Sequence, residues 1–283
     1  FGDIRDEFTI AAPAGEGPDI FIGAHDWIGS LIESGLLAPV DLGDKADQFT
    51  DVSKAAYTFE GELYGMPYAV ENLAFVRNSE LVPEAPATWD EVVEVGTALI
   101  ESGDVTYGFG VSGVTYDAYP LQTAFGGYIF GQDENGNWNP EDLGVDGEGM
   151  IAAGDWMAEQ VASGFMSDNT DWDTAHQLFE TGEMPFLMAG PWALDRLRES
   201  GIPYAVSSFP DDGAPFGGVQ AFMVNALSDN VLLAQAFLQE FVATDETMNA
   251  LFVAGNRPPA WIPTLGTIED PDLLAFAEAG SNA

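Results

Sequence analysis

Five aromatic residues, Trp27, Tyr116, Tyr119, Trp172 and Trp192, fall at loop or element boundaries of the sequence, set among the acids Asp26, Glu71, Asp117, Asp171 and Asp173. A sugar ring presents a patch of C–H groups on one face and a rim of hydroxyls. Flat aromatic rings meet the first, and carboxylates accept hydrogen bonds from the second. Taken singly, each ring reads as core or partly buried surface; taken together, they point towards a carbohydrate site that needs no metal and no activated nucleophile. Acids beside tryptophans are equally what a glycoside hydrolase presents. With 47 Asp and Glu in the chain, acid pairs also arise by chance.

Other chemistries find less support. The only histidines, His25 and His176, are far apart and form no metal-ligand spacing; each reads as a hydrogen-bonded structural residue. The run Asp133, Asn135, Asn137, Asn139 and Glu141 resembles a calcium loop faintly, but its glycine is misplaced and the terminal bidentate glutamate is missing. Its Asn135-Gly136 pair reads better as a type I′ hairpin turn. No cysteine is present, which removes disulfides, thiol catalysis and cysteine–zinc sites together. There is no Walker A, no G-x-G-x-x-G after a strand and no G-x-S-x-G. No metal and no cofactor is therefore expected.

The charge narrows the partners. Asp and Glu number 47 against 7 Lys and Arg, for a formal charge of −40 and an isoelectric point near 4.1. Only 19% of residues are charged, so the imbalance comes mainly from missing cations. Such a surface repels phosphates, which disfavours nucleic acid and anionic membranes. It points to a halophilic, salt-adapted protein, since salt shortens the range of self-repulsion; the bland alternative is an acidic surface protein that merely avoids lysine. At 283 residues, 46% hydrophobic and with mean hydropathy +0.02, the chain can bury a large core, and no apolar run reaches membrane-spanning length.

These residues must be positioned by helices and short strands. Thr88-Trp89-Asp90-Glu91 is a capping box opening a helix that Gly103 closes. Helices are also expected over 173–179, 229–242 and 271–279, and strands over 20–22, 74–76, 186–188, 204–206 and 221–224. Short apolar strands alternating with helices argue for an α/β chain of mostly parallel sheets flanked by helices. In such sheets ligands bind beyond the carboxyl ends of strands. That places His25-Asp26-Trp27, just after Ile20-Phe21-Ile22, at a ligand-facing end.

Longer stretches carry a resemblance. "IRDEFTIAAPAGEGPDIFIGAHDWIGSLIESGLLAPV" resembles the "GPDI…AHD…SGLLA" segment of the periplasmic maltose/maltodextrin-binding proteins, the sugar-binding subunits of ABC importers. "YGMPYAVENLAFVRNSELV", "AYPLQTAFGGYIF…ENGNWN…DLGVD", "GEMPFLMAGPWA" and "GGVQAFMVNALSDN" follow in the family's order and spacing, so the likeness covers nearly the whole chain. It implies a two-lobed type II periplasmic-binding-protein fold with a ligand cleft between lobes that closes on sugar. The first lobe would take residues 1–70 and 219–283, the crossover 71–74 and the second lobe 75–218. It implies an extracytoplasmic protein, not an enzyme, that binds a maltodextrin-like oligosaccharide and delivers it to permease subunits. Its ends imply an internal piece of the family's chain, lacking the opening strand–helix–strand, the closing helices and any signal segment.

By position, Asp26 matches a residue that bonds sugar hydroxyls, with Ala24 beside it. Glu71 matches the crossover acid, Tyr116 and Trp192 match stacking aromatics, and Trp172 stands where the family has a tyrosine near the cleft. Three departures stand out. Trp27 replaces a basic residue and either adds a stacking surface or covers the lobe. Gly23 replaces a bulky aromatic, which leaves one wall more open, and Val114 replaces a glutamate. The sugar is thus an α-glucan or another oligosaccharide, and a hydrolase acting on α-glucans through paired carboxylates is the rival reading.

Overall fold

The computed structural model describes residues 3–111, 115–133, 138–167, 170–281 and 283. Its strands are β1 (Ile20–Ala24), β2 (Leu37–Ala38), β3 (Thr58–Phe59), β4 (Glu62–Leu63), β5 (Met66–Glu71), β6 (Ala74–Asn78), β7 (Phe130–Gln132), β8 (Trp138–Leu143), β9 (Phe186–Ala189), β10 (Tyr204–Ser207) and β11 (Gly218–Asn225). The helices are α1 (Asp3–Ala11), α2 (Ile28–Glu33), α3 (Asp51–Ala56), α4 (Trp89–Ser102), α5 (Thr115–Ala124) and α6 (Glu148–Ser163). They continue with α7 (Trp172–Glu180), α8 (Leu194–Ser200), α9 (Val231–Phe237), α10 (Asp245–Gly255), α11 (Ile262–Leu265) and α12 (Pro271–Ala279). The chain is mixed α/β and divides into two compact units, residues 1–71 with 218–269 and residues 72–217 with 270–283.

In unit 1, β11 is the shared partner. It pairs with β1 along one edge and with β5 and β2 along the other, every time antiparallel. Unit 2 repeats the plan with β6 between β9 and β10, again antiparallel to both. Mostly parallel sheets were the expectation, and Ile20–Ile22 was expected as a parallel strand; the pairings of all these strands are antiparallel. Alternation of short apolar strands with helices reports burial on both faces, and that burial is present. Ala221 and Met223 pack into one core of unit 1 while Phe222 and Val224 pack with the other. Phe75, Phe186 and Met188 of unit 2 lie in one core, and Val76, Leu187 and Ala189 in a second. Strand direction leaves no mark on this pattern, because it is set by which distant segment supplies the shared partner.

Local signals hold where side chains close the backbone. Thr88 accepts a hydrogen bond from the Glu91 amide at 3.2 Å, Glu91 reaches back to the Ala87 amide at 2.7 Å, and Gly103 ends α4 at φ +83°. The helix expected over 229–242 is α9 followed directly by a π-helical turn, Leu238–Val242. Strands β7 and β8 flank the expected hairpin turn, whose Asn135-Gly136 lies outside the described residues, as does Val114.

One assignment needs correction. Residues 270–283, expected in the first lobe, belong to unit 2. There α12 buries Leu273, Phe276 and Ala279, and packs on β10 and β6. Arg198 on α8 bonds Asp270 at 2.7 Å and Asp272 at 2.8 Å, Tyr204 on β10 donates to Asp272 at 2.7 Å, and Asn72 donates to the Phe276 carbonyl at 2.9 Å.

All seven basic side chains are engaged within the fold. Arg196, Arg198 and Arg257 bind carboxylates; Lys54 pairs with Asp51 and Arg5 with Asp6. Lys45 donates to the Gln239 and Ala243 carbonyls, and Arg77 to those of Val82 and Pro83. The remaining acids repel one another through solvent. Screening lengths fall from about 10 Å at 0.1 M salt to about 3 Å at 1 M. The melting temperature is therefore expected to rise as NaCl is raised over that range at pH 7.5; a flat or falling calorimetric series would contradict this account.

Candidate functional site

Unit 1 gathers its residues at the start of β11. Ala24 closes β1 opposite Gln220, and a register shift between Gln220 and Ala221 marks the pairing with β5. Gly218 faces Glu71, where a Cβ would sit 3.4 Å from the Glu71 Cγ. Gln220 and Glu71 are 6% and 5% exposed. The Gln220 amide donates to Glu71 Oε1 at 3.1 Å, and the Arg257 guanidinium holds Oε2. Burial pushes the Glu71 carboxyl above the usual glutamate range, while Arg257 and Gln220 pull it back. Glu71 is thus a buried acid held in one orientation by Arg257 and Gln220.

Beyond Ala24 the chain turns through a single 3₁₀ turn, His25–Trp27. His25 Nδ1 accepts from the Val219 amide at 3.2 Å, and burial lowers its pKa, so it serves as a neutral structural ring. Asp26 is exposed. Trp27 is 8% exposed and belongs to the core with Phe8, Phe21 and Met223. Its indole lies over Gly23: a Cβ there would meet Trp27 Cε3 at 2.7 Å and collide with the Met223 methyl. The wall expected to open at Gly23 is therefore filled by Trp27, which covers its own unit and presents no free stacking face.

Unit 2 assembles an aromatic corner. Trp192 follows β9 in the 3₁₀ turn Pro191–Ala193, its ring folded over Gly190, and stays partly exposed. Its ring stands 6.4 Å from that of Tyr116 at 35°. Phe216 stands edge-on to Tyr116 at 6.0 Å and to Tyr119 at 6.3 Å. Thr123 on α5 ties that loop down, donating to the Ala214 carbonyl at 2.9 Å and accepting from its amide at 2.8 Å. Tyr116, Trp192 and Phe216 each remain partly exposed. Trp172 has other partners: the Arg196 guanidinium lies over its ring at 5.2 Å, and the His176 ring is 4.1 Å away. With Asp117, Gly110, Val111 and His176 it borders a small hollow.

Unit 1 thus brings Ala24 and Glu71 together through Gln220, with Asp26 one turn beyond Ala24. Unit 2 joins Tyr116 to Trp192 and gives Trp172 a separate setting. Sequence reading missed Phe216, Gln220 and Arg257. Each left a trace: an aromatic ahead of Gly217-Gly218, an amide inside the apolar run VQAFMV, and one of seven cations. His176, expected to be hydrogen-bonded, is wholly buried with neither ring nitrogen bonded. Among the described residues no three His, Cys, Asp or Glu cluster as metal ligands.

Residues 1–262 match the family model of the bacterial extracellular solute-binding proteins, and the chain belongs to that family. It is similar to the maltotriose-binding protein of Pyrococcus abyssi (strain GE5 / Orsay), at 30% identity over 99% of this chain and 64% of the relative. It is also similar to the galactooligosaccharide-binding protein of Bacillus subtilis (strain 168), at 27% over 90% of this chain and 63% of the relative. A third relative, the maltooligosaccharide ABC transporter solute-binding lipoprotein of Streptococcus pneumoniae (strain ATCC BAA-255 / R6), is 28% identical over 90% of this chain and 62% of its own length. The chain spans less than two-thirds of the length of these relatives.

Two outcomes follow from the electrostatics. Arg257→Ala leaves Glu71 buried beside Gln220 alone, and should destabilise by about 1–3 kcal/mol at pH 7.5. Adding Glu71→Gln should restore most of that loss; urea titrations of the two singles and the double give the coupling. Separately, burial pushes the Asp117 carboxyl up to about 6. That lies above the usual aspartate range, so the folded state holds the proton more tightly than the unfolded chain does. Stability from this group is full below about pH 4 and is lost as pH rises through about 6. Asp117→Asn should therefore raise the melting temperature at pH 7.5 and leave it nearly unchanged at pH 4; equal effects at both would refute the burial account.

Proposed function

We propose that the protein is the sugar-capturing subunit of an ABC importer, acting outside the cytoplasm and handing a maltooligosaccharide to membrane permease subunits. The observation that carries this is the aromatic corner of Tyr116, Trp192 and Phe216. Its partly exposed rings offer apolar faces to the C–H side of pyranose rings. Relatives named for maltotriose, maltooligosaccharides and galactooligosaccharides support a sugar ligand, and two of those three names favour an α-glucan. On this reading the two units are the lobes of a type II binding protein. Unit 1 supplies hydroxyl acceptors, Asp26 at the exposed turn and Glu71 behind it, with the Ala24 backbone alongside. Unit 2 supplies the stacking rings Tyr116 and Trp192, with Trp172 as an accessory surface. The ligand closes the lobes by touching both. No bond is made or broken: Glu71 is held by Arg257 and Gln220 as an oriented acceptor, and membership in a solute-binding family supports binding over hydrolysis. The −40 charge suits capture in a salt-rich habitat.

Titrating the intact protein with maltotriose in molar salt, followed by tryptophan fluorescence, should give a saturable change. Trp192→Ala should weaken binding about 5- to 150-fold, the loss of about 1–3 kcal/mol that one stacked ring supplies. Free glucose accumulating in the saturated sample would overturn the reading in favour of a hydrolase.

A further inference from the structure

His176 on α7 is 0% exposed, and neither Nδ1 nor Nε2 has a hydrogen-bond partner. A buried imidazole in that state takes no hydrogen bond from any other group of the protein. Burial, reinforced by Arg196, holds the ring neutral by lowering its pKa to about 4. Glu180 Oε1 lies 3.7 Å from Nδ1, too far to bond, and is held by Arg196, so the neutral ring keeps one nitrogen as an unused acceptor. Thr170 adds a second orphan, a buried Oγ1 without a partner. Its methyl lies 3.4 Å from where a Cβ on Gly110 would be.

His176 and Gly110 both line the hollow that Asp117 and Trp172 border. Its free volume is about 10 Å³, near the lower limit for one water-sized group. It can take a single oxygen atom and has no room for a hydrated cation or a sugar ring. The half-buried Asp117 beside it offers a carboxylate. Trp172, 38% exposed, forms the rim. A pocket sized for one oxygen, with an unused buried acceptor at its wall, is complementary to one hydroxyl group.

We propose that this hollow is a single-hydroxyl subsite, in which one hydroxyl of the bound sugar enters beneath Trp172 and donates to His176. The inference rests on the sugar-binding reading above and adds a specificity determinant to it. A sugar lacking that hydroxyl, or carrying it in the opposite configuration, leaves His176 unpaired and is rejected more strongly than an apolar wall could reject it.

The test uses the intact protein with maltotriose as probe. Only two histidines are present, so ¹⁵N-histidine labelling gives two resolvable ring systems. Maltotriose should shift the unprotonated ring nitrogen of His176 upfield, as accepting a hydrogen bond requires, in unmutated protein whose folding is not in question. His176→Leu should weaken maltotriose binding about tenfold or more. His176→Gln, which returns an amide near the Nε2 position, should keep it within about threefold. Maltotriose binding with an unmoved His176 signal overturns the subsite even if His176→Leu binds weakly, since that loss is then packing. Equal affinity in His176→Leu overturns it as well, leaving sugar binding intact. If the unmutated protein binds no maltotriose, the functional reading fails and the subsite falls with it.

Discussion

The register of β11 is the constraint on which unit 1 depends. One strand contacts β1 on one side and β5 and β2 on the other, so sliding it would move Ala24, Glu71 and His25 relative to one another together. A slip of one residue would also exchange its faces, sending Ala221 and Met223 into the wrong core. The register shift at Gln220/Ala221 lies where the ladder meets the polar residues. A bulge there re-aims a side chain without loss of register elsewhere. Gln220 can then serve Glu71 while its neighbours stay in the core.

Both units end a strand with the same local device. Gly23 ahead of Trp27, and Gly190 ahead of Trp192, leave room for an indole to fold back over the backbone through one 3₁₀ turn. The outcomes differ because the neighbours differ. Trp27 meets Met223 and the core around Phe21 and is submerged, whereas Trp192 meets Tyr116 at the edge of two cores and keeps a partly exposed ring. Glycine followed by tryptophan at a strand end therefore allows a fold-back, and packing decides whether the ring is submerged or left partly exposed.

Much of this was legible in the sequence where the signal is local. The Thr88 cap, the Gly103 stop and the span of α12 are fixed by neighbouring side chains. Strand direction was not legible, since burial on both faces has the same pattern whichever way a partner runs. Nor was the attachment of α12, which depends on Arg198 meeting Asp270 and Asp272 from over seventy residues away. Of the candidate site, Tyr116 and Trp192 stood out by residue type and resemblance. Phe216 and Gln220 did not, because their placement comes from the Thr123–Ala214 tie and the β11 register.

The commitment of every cation has a consequence for how this molecule is broken down. Proteases that cut after lysine or arginine must draw that side chain into their own specificity pocket. Here such a protease finds seven candidate side chains in 283 residues, one of them, Arg257, blocked by the proline that follows it. Each is already tied to a carboxylate or a carbonyl of its own chain. Cleavage therefore has to wait for local opening that breaks those ties. The scarcity that leaves the surface so negative also makes the folded chain a poor substrate for that whole class of enzyme.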